Sequence, residues 1–153
     1  MRKNKLSLAL QIVVNADNLP NRTLIRTWLS SCFKTAAEIS VRIVDEEEGK
    51  QLNLDYREKN YATNVLTFTY ADEGMPVVPN MPLLGDIVLC HPVIVREAAE
   101  QHKTVIAHYA HLLIHAALHC QGYDHEIEAE AEEMEAKEIQ LLAELGFANP
   151  YKE

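Results

Sequence analysis

Nowhere in these 153 residues is there an apolar run of the ~20 residues that a membrane-spanning helix requires. A helical membrane protein is therefore not expected. The nearest approach is the N-terminal stretch, where Arg2, Lys3 and Lys5 precede an apolar segment to Val14, with a small residue at Ala16. That outline resembles a secretory leader, but Ser7, Ala9 and Gln11 alternate with Leu6, Leu8, Leu10 and Ile12. Alternation of this kind is the period of a half-buried strand, so a strand is expected and a leader is not. Cysteine is scarce as well. Cys32, Cys90 and Cys120 are odd in number, widely spaced and never in a Cys-x-x-Cys pair, which excludes a disulfide framework and suits free, buried thiols in a reducing cytoplasm. Internal repeats, low-complexity tracts and linkers are also missing, so residues 1–153 are expected to form one domain.

Positive charge is the last shortage: 14 Lys and Arg face 23 Asp and Glu, for a net −9. Taken alone this argues against a nucleic-acid partner. The acid is concentrated, however, with four carboxylates at residues 45–48 and eight at residues 126–144 against the single Lys137. Outside these two segments 11 acidic residues face 13 basic ones, so net charge does not exclude a local basic groove.

The hydrophobic pattern supplies an element order. Residues 6–14 read as a strand. A helix opened by Pro20 and capped by Asn18 or Asp17 follows, with Leu24, Ile25, Trp28, Leu29 and Phe33 at helical spacing. Residues 39–44 alternate as a second strand, and Asp45 is placed to cap a helix that ends before Asn60. Residues 65–70 are β-branched and aromatic, a third strand. Residues 71–82 hold three prolines and Gly74 and read as a surface loop; residues 85–90 form a fourth strand. Beyond Pro92 the pattern is helical over 93–102, 104–120 and 126–145, the last with Ile127, Met134, Leu141, Leu142 and Leu145 as its apolar face. Strands three and four follow each other with only a loop between, so the class is α+β: about four strands in a mixed sheet, packed with about five helices.

The chemistry concentrates in the segment 104–120. It is apolar nearly all round, the mark of a helix buried at the centre of a domain, yet it carries His108, His111, His115 and His119. At ~100° per residue these four fall on one stripe. His115 and His119 stand one helical turn apart, with Cβ atoms ~5–6 Å from each other, close enough to converge on one ion. Gly122 tolerates the backbone conformation that stops a helix and turns the chain, so His125 can approach the same point. Three imidazoles leave a fourth position for water, the arrangement of a catalytic zinc site. A single histidine on an apolar face is usually a core residue with its nitrogens satisfied; three with a helix-stopping glycine between the second and third point to a metal. His111 reads either as a substrate contact or as a hydrogen-bonded structural residue. His91 and His102 have no partner visible in the sequence, and Cys120 points ~100° away from His119.

The spacing of these histidines and Gly122 is that of H-E-x-x-H-x-x-G-x-x-H metalloproteases. Ala116 stands where such a protease has its catalytic glutamate. Without that general base a peptidase is disfavoured.

Three blocks, in order, resemble a known family. His115-Ala-Ala-Leu-His119-Cys-Gln-Gly122-Tyr123-Asp124-His125-Glu126 is similar to the H-G-x-L-H-L-x-G-Y-D-H-E signature of the YbeY family. Asp55-Tyr56-Arg57 through Asn64-Val65-Leu66-Thr67-Phe68 resembles its Y-R-x-x-x-x-x-T-N-V-L-S-F segment, and Leu84-Gly85-Asp86-Ile87 its L-G-D-I stretch. Ala116, Cys120 and Thr67 depart from the family's usual glycine, leucine and serine. The resemblance implies a cytoplasmic, single-strand-specific, metal-dependent endoribonuclease acting in rRNA maturation (16S rRNA 3′ end processing) and ribosome quality control. Its implied partners are ribosomal RNA and the small ribosomal subunit, with neither membrane nor DNA. It further implies one Zn²⁺ on His115, His119 and His125, with Ni²⁺ also suited to imidazole, and Arg57 in the active cleft. A guanidinium is a charged fork of donors matched to phosphate, so Arg57 can clamp a scissile phosphodiester. Asn64, His111 and Asp86 are further substrate-binding candidates, and Asp86 and Asp124 candidate general bases. Two alternatives stay open: a ribosome-assembly factor whose metal is mainly structural, and a metallohydrolase of another substrate.

Overall fold

The computed structural model describes residues 6–69, 81–123 and 128–151. Its elements are β1 (Leu6–Ile12), α1 (Arg22–Ser30), β2 (Ala37–Val44), α2 (Glu46–Arg57), β3 (Val65–Thr69), β4 (Leu83–Cys90), α3 (His91–Glu100), α4 (Val105–Cys120) and α5 (Glu128–Glu144). The four strands form one mixed sheet in the order β1-β2-β4-β3. β1, β2 and β4 run parallel, whereas β3 pairs antiparallel with β4 at the edge. The α+β expectation and the element order both hold.

Strand alternation decides which side of the sheet is the core. Leu8, Ile39, Val41, Ile43, Ile87 and Leu89 are buried and pack with α1 and α4. Successive side chains point to opposite faces, so Ser40, Arg42, Asp86 and Phe68 line the other face, against α2. Fully burying one such aliphatic side chain contributes about 1.5–3 kcal/mol. The layer of Ile25, Leu29, Ile39, Ile43, Ile87, Leu89, Leu113 and Ile114, all of them fully buried, is therefore the main source of stability.

Close approach of α4 to the sheet depends on a missing side chain. A Cβ on Gly85 would lie 2.7 Å from Cys120 Sγ, and one on Gly49 would lie 2.9 Å from Cys90 Sγ. The glycines of β4 and α2 thus make room for buried thiols. Cys32 is buried too, and burial pushes its thiol up to about 12.

Helix ends follow local chemistry. Asp45 caps α2 by accepting from Glu48 N–H, and Thr104 caps α4 by accepting from Ala107 N–H, as such side chains do at unsatisfied helix N-termini. The cap of α1 differs from expectation: Asn21, not Asn18 or Asp17, accepts from Leu24 N–H, and the helix begins at Arg22. Asn18 is engaged elsewhere, accepting from His91 Nε2 at 2.9 Å. His91, which has no partner visible in the sequence, also accepts from the Tyr109 hydroxyl at 2.6 Å and so ties the β1–α1 loop to α3 and α4. The expected loop at 71–82 lies outside the described residues up to position 80, as do Tyr70 and residues 124–127. Among the described residues, no helix is long and apolar enough to cross a membrane.

Candidate metal centre

From His108 to Cys120, every residue of α4 is buried except His111, His115 and His119. These recur every four residues, so they form the one seam of an otherwise enclosed helix that reaches toward solvent. Against this seam lies α5.

Each histidine of α4 is held by a specific acceptor. His108 donates from Nε2 to Glu97 Oε1 at 2.8 Å, and the same oxygen takes the Asn64 amide at 2.9 Å. His111 donates from Nε2 to Glu138 Oε1 at 2.9 Å, and its Nδ1 stands 3.5 Å from the Lys103 ammonium. His115 donates from Nδ1 to Glu138 Oε2 at 2.6 Å. His119 donates from Nδ1 to the Tyr123 carbonyl at 3.2 Å. A carbonyl oxygen and an ionised carboxylate can only accept. In the neutral rings of His115 and His119 the proton therefore belongs on Nδ1, which leaves on Nε2 the lone pair that a metal needs.

The turn that supplies the Tyr123 carbonyl is built by Gly122, at φ 98°. Gly122 N–H bonds the His119 carbonyl and Tyr123 N–H bonds the Leu118 carbonyl, the paired pattern of a glycine-terminated helix. The expected stop at Gly122 is thus met, and it also orients His119. His125, the third expected ligand, lies outside the described residues, as does Asp124. Among the described residues no group of three His, Cys, Asp or Glu is placed to hold an ion alone. His115 and His119 fit an imidazole-ligated ion in spacing, in partial exposure and in tautomer.

Nothing in the sequence singles out Glu138. It is one of eight acidic residues in 126–144, yet it is 0% exposed while Glu135 beside it is exposed. Burial alone would raise its carboxyl; hydrogen bonds from His111, His115 and Tyr151 outweigh that and hold it at about 2. The available signal is positional: Glu138 shares the buried face of Met134, Leu141 and Leu142. Tyr151 reaches it because Gly146, at φ 92°, ends α5 with the same paired turn and sends the chain back.

The remaining candidates sit apart from the seam. Arg57 is the exposed last residue of α2. The preceding Tyr56 packs edge-to-face on Phe68 of β3, with centroids 5.0 Å apart, and α4 packs against the same strand. β4 and α3 each contact both Arg57's helix and the histidine helix, and the Tyr56–Phe68 ring pair ties α2 to β3 as well. Asn64 joins the seam indirectly, through Glu97 and His108. Asp86 is not brought to it: Gly85 and Ile87 face α4, so Asp86 projects from the opposite face, accepts from Ser40 Oγ at 2.6 Å and lines a groove of about 610 Å³ there. His111 is hydrogen-bonded to Glu138 and sits beside Lys103, which accords with its structural alternative.

Comparison with known proteins identifies the family. The sequence model of the family described as Endoribonuclease YbeY matches residues 10–146. A protein from Herminiimonas arsenicoxydans, named Endoribonuclease YbeY, is 52% identical across 100% of this chain and 99% of its own length. A namesake from a Polaromonas strain is 63% identical over 87% of this chain and 82% of its own length. One from an Azoarcus strain is 58% identical over 86% of this chain, which spans only 53% of that relative. In fold, the chain resembles a solution structure of a Thermotoga maritima protein, with a TM-score of 0.51 at 22% identity over 97% of this chain and 99% of that one. With a family match over nearly its whole length and relatives this similar, the chain belongs to the YbeY endoribonuclease family.

Proposed function

We propose that this protein is a zinc-dependent endoribonuclease that cleaves single-stranded segments of ribosomal RNA in the cytoplasm, working on the small ribosomal subunit in 16S rRNA 3′ end maturation and ribosome quality control. The observation that carries the metal-dependent reading is the shared bonding of His115 and His119: two imidazoles one turn apart, each with Nδ1 against an accepting oxygen. Together with His125 they would hold the ion. When bound, zinc supplies a Lewis acid that lowers the pKa of coordinated water and polarises a phosphoryl oxygen.

The chain's own residues do the rest. Arg57 would clamp the scissile phosphate through two parallel N–H bonds and stabilise the charge that develops on it. The long side chain starts from an exposed helix end, which gives it the reach to meet a backbone phosphate. Asn64 and Glu97 fix His108, and thereby the first turn of the histidine stripe, without contact with the reacting atoms. The acidic outer face of α5 repels RNA, so the substrate would approach from another face.

The test pairs metal content with cleavage of a structured ribosomal RNA fragment, for the wild type, His115→Ala and Arg57→Ala, with and without chelator. About one zinc per chain should be lost with His115, and chelation and both substitutions should each lower cleavage at least about 100-fold. Cleavage indifferent to chelator and to Arg57 would overturn the nuclease reading and favour an assembly factor with a structural ion.

A further inference from the structure

The most enclosed charged group in the described structure is not a candidate ligand. Glu138 is wholly buried, and three donors converge on its two oxygens. Among the described residues, His111 Nε2 and the Tyr151 hydroxyl both donate to Oε1, whereas His115 Nδ1 alone donates to Oε2 at 2.6 Å. We propose that Glu138 is the positioning residue of the metal centre: its carboxylate fixes the ring plane and tautomer of His115, so that Nε2 is presented to the ion. The proposal rests on the reading of His115 as a zinc ligand.

The two oxygens have different tasks. Lys103 Nζ lies 3.5 Å from His111 Nδ1, and an ammonium has protons only to give. His111 must therefore keep its proton on Nε2, pointing at Oε1, and the Tyr151 hydroxyl adds a second donor on the same side. Only an accepting oxygen fits there. On the other side, His115 needs an acceptor for Nδ1–H if Nε2 is to keep its lone pair. A carboxylate meets both requirements at once because both its oxygens accept. A carboxamide of the same size cannot. In Glu138→Gln the amide oxygen is drawn to the side where two donors meet, which turns the NH₂ toward His115. Nδ1 must then accept, the ring proton moves to Nε2, and the nitrogen that would bind zinc becomes a donor. Partners of metal-ligating histidines have this effect on affinity generally, worth about 10–100-fold.

The experiment measures zinc affinity by competition with a chromophoric chelator, for the wild type, Glu138→Gln and His115→Ala. It also reads the histidine tautomers of the metal-free proteins from long-range proton–nitrogen NMR correlations. The expected result is zinc binding about 10–100-fold weaker in Glu138→Gln, with His115 changing from the Nδ1–H to the Nε2–H form and thermal unfolding of the metal-free protein little changed. A Glu138→Gln protein that binds zinc like the wild type overturns the proposal, provided His115→Ala has lost the ion. If His115→Ala also binds zinc like the wild type, the ligand assignment itself falls, and the proposal with it. Should Glu138→Gln fail to fold, the wild-type spectrum still decides: His115 found as the Nε2–H tautomer in the metal-free protein overturns the proposal.

Discussion

Helices α4 and α5 lie side by side and are opposites in composition. α4 is aliphatic apart from its histidines, Tyr109 and Cys120, and α5 carries seven glutamates among its 17 residues. In α4 three polar residues, His111, His115 and His119, form the open seam, whereas His108 is buried among the apolar ones. In α5 most of the polar residues face solvent, and the one that is fully buried, Glu138, meets the seam from the other side. The same pairing of buried carboxylate and imidazole is therefore assembled from two backgrounds of contrary character. What sets a functional polar group apart is the contrast with its own helix face, and α5 has that contrast at one position.

Substitutions along α5 sharpen this comparison most. Glu138→Ala strands three donors at once and is expected to lower the stability of the metal-free protein by about 2–3 kcal/mol in urea unfolding. Glu135→Ala, one turn away on the exposed side, should change it by no more than about 0.5 kcal/mol. Equal effects at the two positions would erase the distinction between the faces. On α4, the tight seat against the sheet predicts that Gly85→Ala costs about 1–3 kcal/mol through the collision with Cys120 Sγ. The cost should shrink in a Cys120→Ala background, a coupling that a double-mutant cycle reads directly.

The smallest expected effect is a slope with pH. Burial holds the His91 and His108 imidazoles below their ordinary 6.5, for His108 in spite of the opposing bond to Glu97. Below pH 6.5 the unfolded chain takes up protons that these folded rings resist. Their contribution to stability is therefore complete above 6.5 and declines as the pH falls below it. His91→Gln in the metal-free protein should flatten that decline as measured by urea midpoints at several pH values; an unchanged slope would mean that His91 plays no part in it.

Much of the molecule is legible in its sequence, for reasons tied to period. Alternation in β1 and β2 and the helical spacing of α1, α4 and α5 set out the element order, because one-sided burial writes itself into the chain. His115, His119 and Gly122 are legible because imidazoles repeated on one stripe of an aliphatic helix, closed by a glycine, serve packing poorly and metal binding well. Asp86 is separable from the seam by the same alternation, since Ile87 and Leu89 belong to the core face. The rest depends on distant pairing. Asn18 reads as a cap because caps are local, whereas its partner His91 lies 73 residues on. Glu138 is one glutamate among many until the fold places it against His111 and His115.

The three cysteines carry a practical consequence. All are buried, two of them face glycines that leave room for nothing larger, and the Cys32 thiol is pushed up to about 12 by burial. Alkylation and oxidation require an accessible thiolate. The folded protein should therefore ignore maleimides and mild peroxide while its unfolded chain consumes them, so thiol labelling serves as a built-in meter of how much of the population is open.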